Sequence, residues 1–323
     1  RGSRESRSIA PVNSEMAYAL RRFVQPPPDM YQQRIFDSCP KQRPFGMILE
    51  VEKTCAVSYL CGPAHFFCYS FELSFRRIFE PLHTVIFEGP LDEGFLAAVE
   101  RGGRNPDPGA RVIDGLSEDD VRRLERIVYG PEGVLPGLLG LQRERRVDVR
   151  ALLAETRPWF AFFTLWVAFL GLQGWSQSVD LEAWATARDM CKAVVGMENL
   201  DEQIASLEAV PFARIIDFFR RCDQWPSYMR RNIRSYLAGD LEQMMGSSIE
   251  FPSRTEMVIG FRDGRFFERM LPFMEAGNCA VFVGTAHLLG LVPMLEDAGY
   301  RVRPAYFGLG LRLRARMRDL FGF

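Results

Sequence analysis

The sequence lacks the features that mark several large classes of protein. Its seven cysteines include no CxxC pair, which argues against a zinc ribbon or a thioredoxin-like redox site. Basic and acidic residues nearly cancel, and a formal net charge of −1 gives no electrostatic reason to expect a nucleic-acid partner. The longest apolar stretch, WFAFFTLWVAFLGL at 159–172, falls short of the ~20 residues that a membrane-spanning helix needs. We therefore expect a globular protein without a transmembrane helix in this sequence, and a buried core helix at 159–172.

The scattered cysteines favour reduced, buried thiols in a reducing compartment, so the sequence favours a cytoplasmic protein. The chain starts at Arg1 rather than at methionine and opens RGSRESRS. An exported or periplasmic protein whose leader was removed therefore stays open. A homo-oligomer is compatible with the same composition.

The chain has only three histidines, and two of them share one local context. YLCGPAH at 59–65 and VFVGTAH at 281–287 each place an apolar run before a glycine, with a histidine three residues after that glycine. Independent structural histidines have no reason to repeat their context more than two hundred residues apart. We therefore interpret the repeated frame as functional.

Strand patterns lie toward both ends of the chain, with helical patterns between them. The predicted strands are MILEVEK, TCAVSYLC, HTVIFEG (83–89), AVVGME (193–198), NCAVFVG (278–284) and a short last strand before about 307. This order predicts an α/β fold with a central mixed, mainly parallel sheet that is built from N- and C-terminal segments and flanked by helices. The middle of the chain is predicted to be a helical insertion.

Composition changes predict the domain boundaries. Residues 1–44 are rich in arginine, serine and proline and are predicted to form an irregular extension. Residues 45–310 are predicted to form a single α/β domain, with the helical insertion at about 105–260 and a long helix at 254–277. The basic segment 311–323 is predicted to be a helix or tail, either solvated or lying on an anionic surface.

The repeated frame predicts a site at one edge of the sheet. In an open α/β sheet, ligands bind outside the carboxyl ends of the strands, and glycines there, Gly62 and Gly284, permit a sharp turn or a close approach. His65 and His287 would then face the same crevice, and Glu88, at the end of its own strand, would join them. Two imidazoles and one carboxylate are a common ligand set for a divalent transition metal with an open coordination position.

Simpler interpretations exist for each of these residues. A single histidine after a strand is more often a hydrogen-bonded structural residue than a ligand, and Glu88 alone could be a solvated strand end. His83 shows no partner pattern and is interpreted as structural. The functional interpretation depends on His65 and His287 converging in space.

The two Gly-x-x-His units and the glutamate that ends a strand resemble the TraB/PrgY/GumN family, whose superfamily includes the Tiki metalloproteases. Other segments match the family's pattern in the same order: Arg157-Pro158-Trp159, Ser178-Val179-Asp180, GMENLDEQIASL (196–207), Ala238-Gly239-Asp240, Arg262-Asp263 and GTAHLLGLVPMLEDAGYRV. The resemblance covers about residues 46–305. Each motif alone is weak evidence, whereas their order and spacing together are specific.

The sequence departs from the family pattern at a few positions. Asp263 stands where the family has asparagine, Ser178 where it has glycine, and Met197 and Asn199 differ within the Leu-Glu-Thr element. Asp263 is the most consequential departure, because an added acid changes the charge next to the predicted site. These changes fit the predicted fold and bear mainly on catalytic competence.

The resemblance implies an EreA/ChaN-like α/β architecture and metal-dependent hydrolysis, most directly of a peptide bond in a peptide or protein substrate. In that scheme His65 and His287 hold a divalent metal, manganese or cobalt by resemblance with zinc also open. Glu88 is either a third ligand or the base that activates water. Arg262 stabilises an oxyanion or anchors a substrate carboxylate, and Asp263 orients a metal ligand.

Two residues form a second tier of candidates, namely Glu198, at the end of a predicted strand, and Asp180. A different class of function remains open beside the enzyme: the chain could bind or sequester a peptide, a haem-like ligand or a protein partner without catalysis. Another hydrolytic chemistry on the same scaffold, such as ester cleavage, is a third hypothesis.

Overall fold

The computed structural model describes residues 41–53, 56–104, 109–129, 147–175, 177–246, 251–256 and 258–305. Residues 1–40 of the predicted N-terminal extension lie outside these ranges. The whole of the predicted basic segment 311–323 also lies outside them. Both remain predictions.

The described ranges contain six strands and twelve α-helices. The strands are β1 Ile48–Lys53, β2 Ala56–Cys61, β3 Thr84–Phe87, β4 Ala193–Gly196, β5 Cys279–Phe282 and β6 Arg301–Pro304. The first six helices are α1 Glu72–Phe79, α2 Glu93–Arg104, α3 Glu118–Tyr129, α4 Val149–Glu155, α5 Pro158–Leu172 and α6 Val179–Asp189. The others are α7 Leu200–Glu208, α8 Phe212–Arg220, α9 Trp225–Ala238, α10 Leu241–Gly246, α11 Gly260–Ala276 and α12 Leu288–Asp297.

The strands form one sheet in the order β4-β3-β5-β2-β1-β6. The four strands from β4 to β2 are mutually parallel, whereas β1 pairs antiparallel with both β2 and β6. The prediction of a mixed, mainly parallel sheet built from both ends of the chain is confirmed. The short strand within the helical middle is β4, which lies at the sheet edge beside β3.

Strand β5 is buried on both faces of the sheet, as expected for a central parallel strand. Its sequence CAVF is entirely buried, and alternate side chains point to opposite faces. Ala280 and Phe282 join an aromatic cluster on one face, and Cys279 and Val281 join a second cluster on the other. Packing helices on both faces therefore hold the carboxyl end of β5 in a rigid setting.

The apolar segment at 159–172 is the core helix that the sequence predicts. Helix α5 starts with Pro158 at its first turn, where a missing backbone N–H costs nothing, and eight of its residues are buried. Within the described residues, no helix combines the length and the apolarity that crossing a bilayer requires. The described cysteines are all free thiols.

Several predicted boundaries differ from the structure. The helix predicted at 254–277 starts instead at Gly260, because the Thr255 hydroxyl accepts a hydrogen bond from the backbone N–H of Val258 at 3.2 Å and forms a local turn that competes with the helix. The strand predicted at 193–198 ends at Gly196.

Candidate functional site

The site lies where the parallel strands end. The sheet register pairs Cys61 with Phe282 and Phe282 with Phe87, so the last residues of β2, β5 and β3 stand side by side. The residues that follow them form one rim, because parallel strands end at the same edge of a sheet. Gly62, Gly284 and Glu88 are brought together in this way.

His287 is held rigidly in the core. It ends a short 3-10 turn, Thr285–His287, that follows Gly284, and its side chain is 4% exposed. Its Nδ1 lies 2.5 Å from Oδ1 of Asp263 on α11, and its ring packs edge-on against Phe266 with centroids 5.0 Å apart. The carboxylate thus fixes the ring orientation and leaves Nε2 on the side of Glu88.

His65 is held in the same way but stands at a more open position. Its Nδ1 lies 2.7 Å from Oδ2 of Asp180 at the start of α6, and its side chain is 62% exposed. The Asp180 carboxylate stabilises the charged imidazole and raises the pKa of His65 to about 9. The preceding backbone N–H, of Ala64, donates to the hydroxyl of Tyr236 at 2.9 Å.

The two histidine loops are joined directly. The hydroxyl of Thr285 lies 3.0 Å from the carbonyl oxygen of Gly62 and 3.1 Å from that of Pro63. A methyl group added to Gly62 would lie 2.6 Å from a side-chain carbon of Leu288, so glycine is needed for close packing at this position. Because the loops touch, the histidines that they carry are held in a constant relationship.

The two imidazoles and Glu88 converge on Gly284. A methyl group built on Gly284 would lie 3.2 Å from Oε1 of Glu88, 3.7 Å from Cδ2 of His287 and 3.8 Å from Nε2 of His65. The Gly284 N–H donates to Oε1 of Glu88 at 2.5 Å, and Nε2 of His287 lies 3.7 Å from that same oxygen. Glycine at this position therefore leaves room at the point where the three side chains meet.

Arg262 closes the site from the side of α11. Its Nη2 donates to Oε2 of Glu88 at 2.6 Å and to Oε2 of Glu198 at 2.7 Å, and its Nε donates to Oε1 of Glu198 at 3.0 Å. Glu198 reaches this position because its backbone N–H donates to the carbonyl of Glu88, which extends the β3–β4 pairing beyond Gly196. Its side chain is fully buried, so Arg262 neutralises a carboxylate that has no access to water.

These contacts set the charge of the site. Burial favours a protonated Glu88, but Arg262 and then the two imidazoles outweigh it and lower the pKa of Glu88 to about 2. Burial also opposes the charge on Arg262, but Glu88 and Glu198 outweigh it and raise the pKa of Arg262. At neutral pH the centre therefore contains ionised Glu88 beside a permanently charged guanidinium and a protonated His65, and a metal would bind His65 with release of that proton.

The donors at this centre are of the types that bind a divalent transition metal. Each imidazole presents Nε2 while its Nδ1 is held by a carboxylate, which is the usual support for a metal-ligating histidine. Glu88 accepts two hydrogen bonds, from Gly284 and Arg262, and a carboxylate has about four acceptor positions. Over the described ranges, however, no group of three or more His, Cys, Asp or Glu side chains is already arranged to hold a metal ion. The nearest obstacle is Arg262, whose Nη1 lies 3.4 Å from Nε2 of His287.

The sequence ranks Glu198 and Asp180 as second-tier candidates. In the structure Glu198 contacts Arg262 and Asp180 contacts His65. Sequence reasoning missed Tyr236 and Arg265, whose Nη1 lies 3.4 Å from Glu198. A signal for Arg265 is present, since Arg262, Arg265 and Arg269 follow the spacing of one helix face. No local pattern marks Tyr236.

A large cavity opens onto this centre. It has a volume of about 480 Å³, and its lining includes His65, Glu88, Arg262 and His287. The rest of the lining is mainly aromatic and aliphatic, contributed largely by helices α2, α4, α5 and α7. We call this space the apolar chamber and represent its wall by Val99, Leu152, Phe163, Trp166, Val167 and Leu207.

Comparison with known proteins identifies the family of the chain. A search of curated proteins returned no match to the chain. The sequence model of the TraB/PrgY/gumN family matches residues 47–304, a range that begins just before β1 and ends with β6, so that it spans the whole sheet and both histidine units. The chain therefore belongs to the TraB/PrgY/gumN family.

Proposed function

We propose that this protein is a hydrolase that cleaves an amide bond, most directly a peptide bond, at a divalent metal held by His65, His287 and Glu88. One observation carries the proposal. Both imidazoles have Nδ1 held by a carboxylate, at 2.7 Å for His65 and 2.5 Å for His287, and both rings meet Glu88 at Gly284. A structural histidine needs one satisfied partner, whereas two imidazoles oriented toward one carboxylate form a ligand set.

The contacts favour one of the two roles that the sequence leaves open for Glu88. With a pKa of about 2, its carboxylate is a weak proton acceptor at neutral pH, and efficient general bases have a pKa near the working pH. Glu88 therefore suits the role of ligand better than that of base. When bound, the metal would lower the pKa of a water molecule and polarise the substrate carbonyl.

The remaining residues orient the proposed metal ligands and neutralise charge at the centre. Asp180 and Asp263 orient the two imidazoles. Arg262 keeps Glu88 ionised, and its Nη1, on the side facing His287, stands where it can donate to negative charge that develops on a substrate oxygen. The apolar lining of the chamber lowers the local dielectric constant around the buried groups, which strengthens their interactions.

A second candidate function, binding without catalysis, is supported by the contacts of Arg262 with Glu88 and His287. The guanidinium pairs with Glu88 and stands 3.4 Å from Nε2 of His287, so a cation already neutralises this part of the centre. A protein that binds its ligand in the chamber without turnover would need only this arrangement.

Metal content and peptide cleavage distinguish these functions. The purified chain is stripped with a chelator, reloaded with manganese, cobalt or zinc, assayed for bound metal by elemental analysis, and incubated with a peptide library. We expect about one metal per chain and metal-dependent cleavage, both lost in His65→Ala and His287→Ala. The matched control is His83→Ala, since His83 is exposed and lies outside the cavity lining.

The result that would overturn the enzyme proposal is metal-independent, tight binding of peptides with no product from any metal-loaded form. Retention of metal and turnover in both histidine variants would overturn the proposed ligand set instead.

A further inference from the structure

The wall of the apolar chamber is much larger than a metal centre requires. Helix α5 contributes more of its residues than any other helix, and they include Phe163, Trp166 and Val167. A volume of about 480 Å³ lies within the range of pockets that enclose a whole small ligand. The chamber therefore has room for a sizeable part of a substrate next to the bond that reacts.

Several charged groups of the lining are already paired. His65 pairs with Asp180, Glu88 with Arg262, and Arg104 at the chamber wall with Glu100 at 2.9 Å. A charged ligand group inside the chamber would have to disrupt one of these pairs or remain without a partner, and either costs free energy in a buried setting. The chamber therefore favours an uncharged occupant.

Three residues of the lining have a polar side-chain atom without a partner within the described residues. They are Nε1 of Trp159, Oε1 of Gln203 and Oδ1 of Asn232. Each of these atoms has almost no surface that water can reach, so none of them is open to a ligand in the chamber. The unpaired polar atoms therefore offer no hydrogen bonds to the backbone of a bound peptide.

The scarcity of accessible polar partners favours a hydrocarbon chain over a peptide segment as the occupant of the chamber. Each residue of a bound peptide brings one backbone N–H and one C=O, and each such group left unpaired in an apolar enclosure costs free energy. A chain of several residues would exceed the polar partners that the chamber offers. A hydrocarbon chain joined to one amide would need hydrogen bonds only at the His65–His287 centre and would fill the rest of the space with CH₂ groups.

We infer that the acyl part of the substrate is a medium-length or long hydrocarbon chain that occupies the apolar chamber, with its amide group at the His65–His287 centre. The inference deepens the proposed function and depends on it for the reaction. In that reaction the oxygen of water bonds to the acyl carbon, the carbon–nitrogen bond breaks, and the nitrogen leaves with a proton. The products are a carboxylic acid and an amine, and no oxidant or reductant is consumed.

The test compares N-acylglycines from acetyl to hexadecanoyl, first in binding and then in hydrolysis. Burial of each methylene tightens binding by about fourfold, so we expect the dissociation constant to fall steeply with chain length until the chamber is full. Measured by calorimetry on the metal-loaded chain, equal affinity for the acetyl and dodecanoyl compounds would overturn the inference. Tighter binding of an apolar octapeptide than of any acylglycine would overturn it as well.

Chamber-filling variants locate the binding. Val167→Trp and Ala168→Trp place an indole at partly exposed positions of the lining, and we expect each to shift the preferred acyl chain to a shorter length. Leu172→Trp is the matched control, because Leu172 is on the same helix, is 50% exposed and lies outside the lining. Circular dichroism confirms that each variant is folded. An unchanged chain-length profile in both folded filling variants would contradict the inference.

His65→Ala separates this inference from the proposed function. If the chamber holds the acyl chain, this variant keeps the chain-length dependence of binding even though hydrolysis is lost. Binding that follows chain length without hydrolysis by the wild type would retain the chamber occupant and reject the enzyme. Hydrolysis of short peptides without any chain-length preference would retain the enzyme and reject the occupant.

Discussion

The two histidine units share a sequence frame but differ in their surroundings. His287 follows a central strand and has a side chain that is 4% exposed, whereas His65 follows β2 and has a side chain that is 62% exposed. Each ring is held through Nδ1 by an aspartate, Asp263 on α11 for His287 and Asp180 on α6 for His65. The two units therefore share the Gly-x-x-His frame and an aspartate partner at Nδ1, but their imidazoles differ in burial.

The difference separates two contributions that a histidine can make. A buried imidazole paired with a buried carboxylate contributes to folding as well as to the site, because loss of either partner leaves a polar group without hydrogen bonds. An imidazole that faces a chamber contributes mainly to the site. We expect substitutions to affect the two units equally in activity and unequally in stability.

The largest effects test the two histidines themselves. His65→Ala and His287→Ala should each lower turnover by on the order of 10²–10⁴-fold. His287→Ala should also lower the free energy of unfolding by about 1–3 kcal/mol, because Asp263 loses its partner in the core. His65→Ala should lower it by less than about 1 kcal/mol, because water screens the more exposed pair with Asp180. Kinetics and urea unfolding measure the two quantities. Equal stability losses would show that the difference in burial has no energetic consequence.

The next effects test the aspartates that orient the rings. Asp263→Ala and Asp180→Ala should each lower metal affinity by about 10–100-fold, as loss of such supporting groups does. Asp263→Asn keeps an oxygen acceptor for Nδ1 of His287 and should recover much of that loss, which is the outcome expected if geometry matters more than charge. Metal titration of the folded variants gives the affinities. If Asp263→Asn binds metal as weakly as Asp263→Ala, charge rather than orientation is the contribution of Asp263.

A smaller effect tests the contact between the units. Thr285→Val removes the hydroxyl that reaches the carbonyls of Gly62 and Pro63 and preserves the shape of the side chain. We expect a loss of about 1 kcal/mol in unfolding free energy and a rise in KM larger than the fall in kcat, since the loops would be less well aligned. Unchanged kinetics would mean that the sheet alone holds the two units in place.

The smallest effect belongs to an ion pair outside both units. The hydrogen bonds from Arg269 and then from the backbone N–H of Asn199 lower the pKa of Glu202 to about 2. Its contribution to stability is therefore complete above the ordinary value of 4.5 and is lost as the pH falls toward 2. Glu202→Gln keeps the cap of α7 and should cost about 0.2–1 kcal/mol at neutral pH. Urea unfolding of both proteins at several pH values checks whether the difference shrinks below pH 4.5.

Much of the fold could be predicted because its signals are local. Apolar runs that end in glycine or glutamate marked β2, β3 and β5 and the rim that follows them, and Pro158 before a long apolar run marked α5. The start of α11 was predicted too early, because a side-chain turn at Thr255 competes with the helix. Hydrophobic periodicity contains no information about such competing side-chain hydrogen bonds.

The site was predictable in part for the same reason. Strand ends supplied His65, His287 and Glu88, and the sheet register brings strand ends together without further information. Tyr236 was missed, since its contact with Ala64 joins residues 172 positions apart, and a tyrosine within a helix carries no sign of its partner.

The sequence by itself determined the fold class, the membership of a family and the three side chains at the strand ends, because hydrophobic periodicity and strand termination are properties of neighbouring residues. Only the tertiary structure decided that Arg262 and Glu198 enclose Glu88, that one imidazole is buried and the other open, and that an apolar chamber adjoins them. Those features depend on how α11 packs against the sheet and how α5 packs against its neighbouring helices. Packing is set by the shapes of side chains that meet only after the chain has folded.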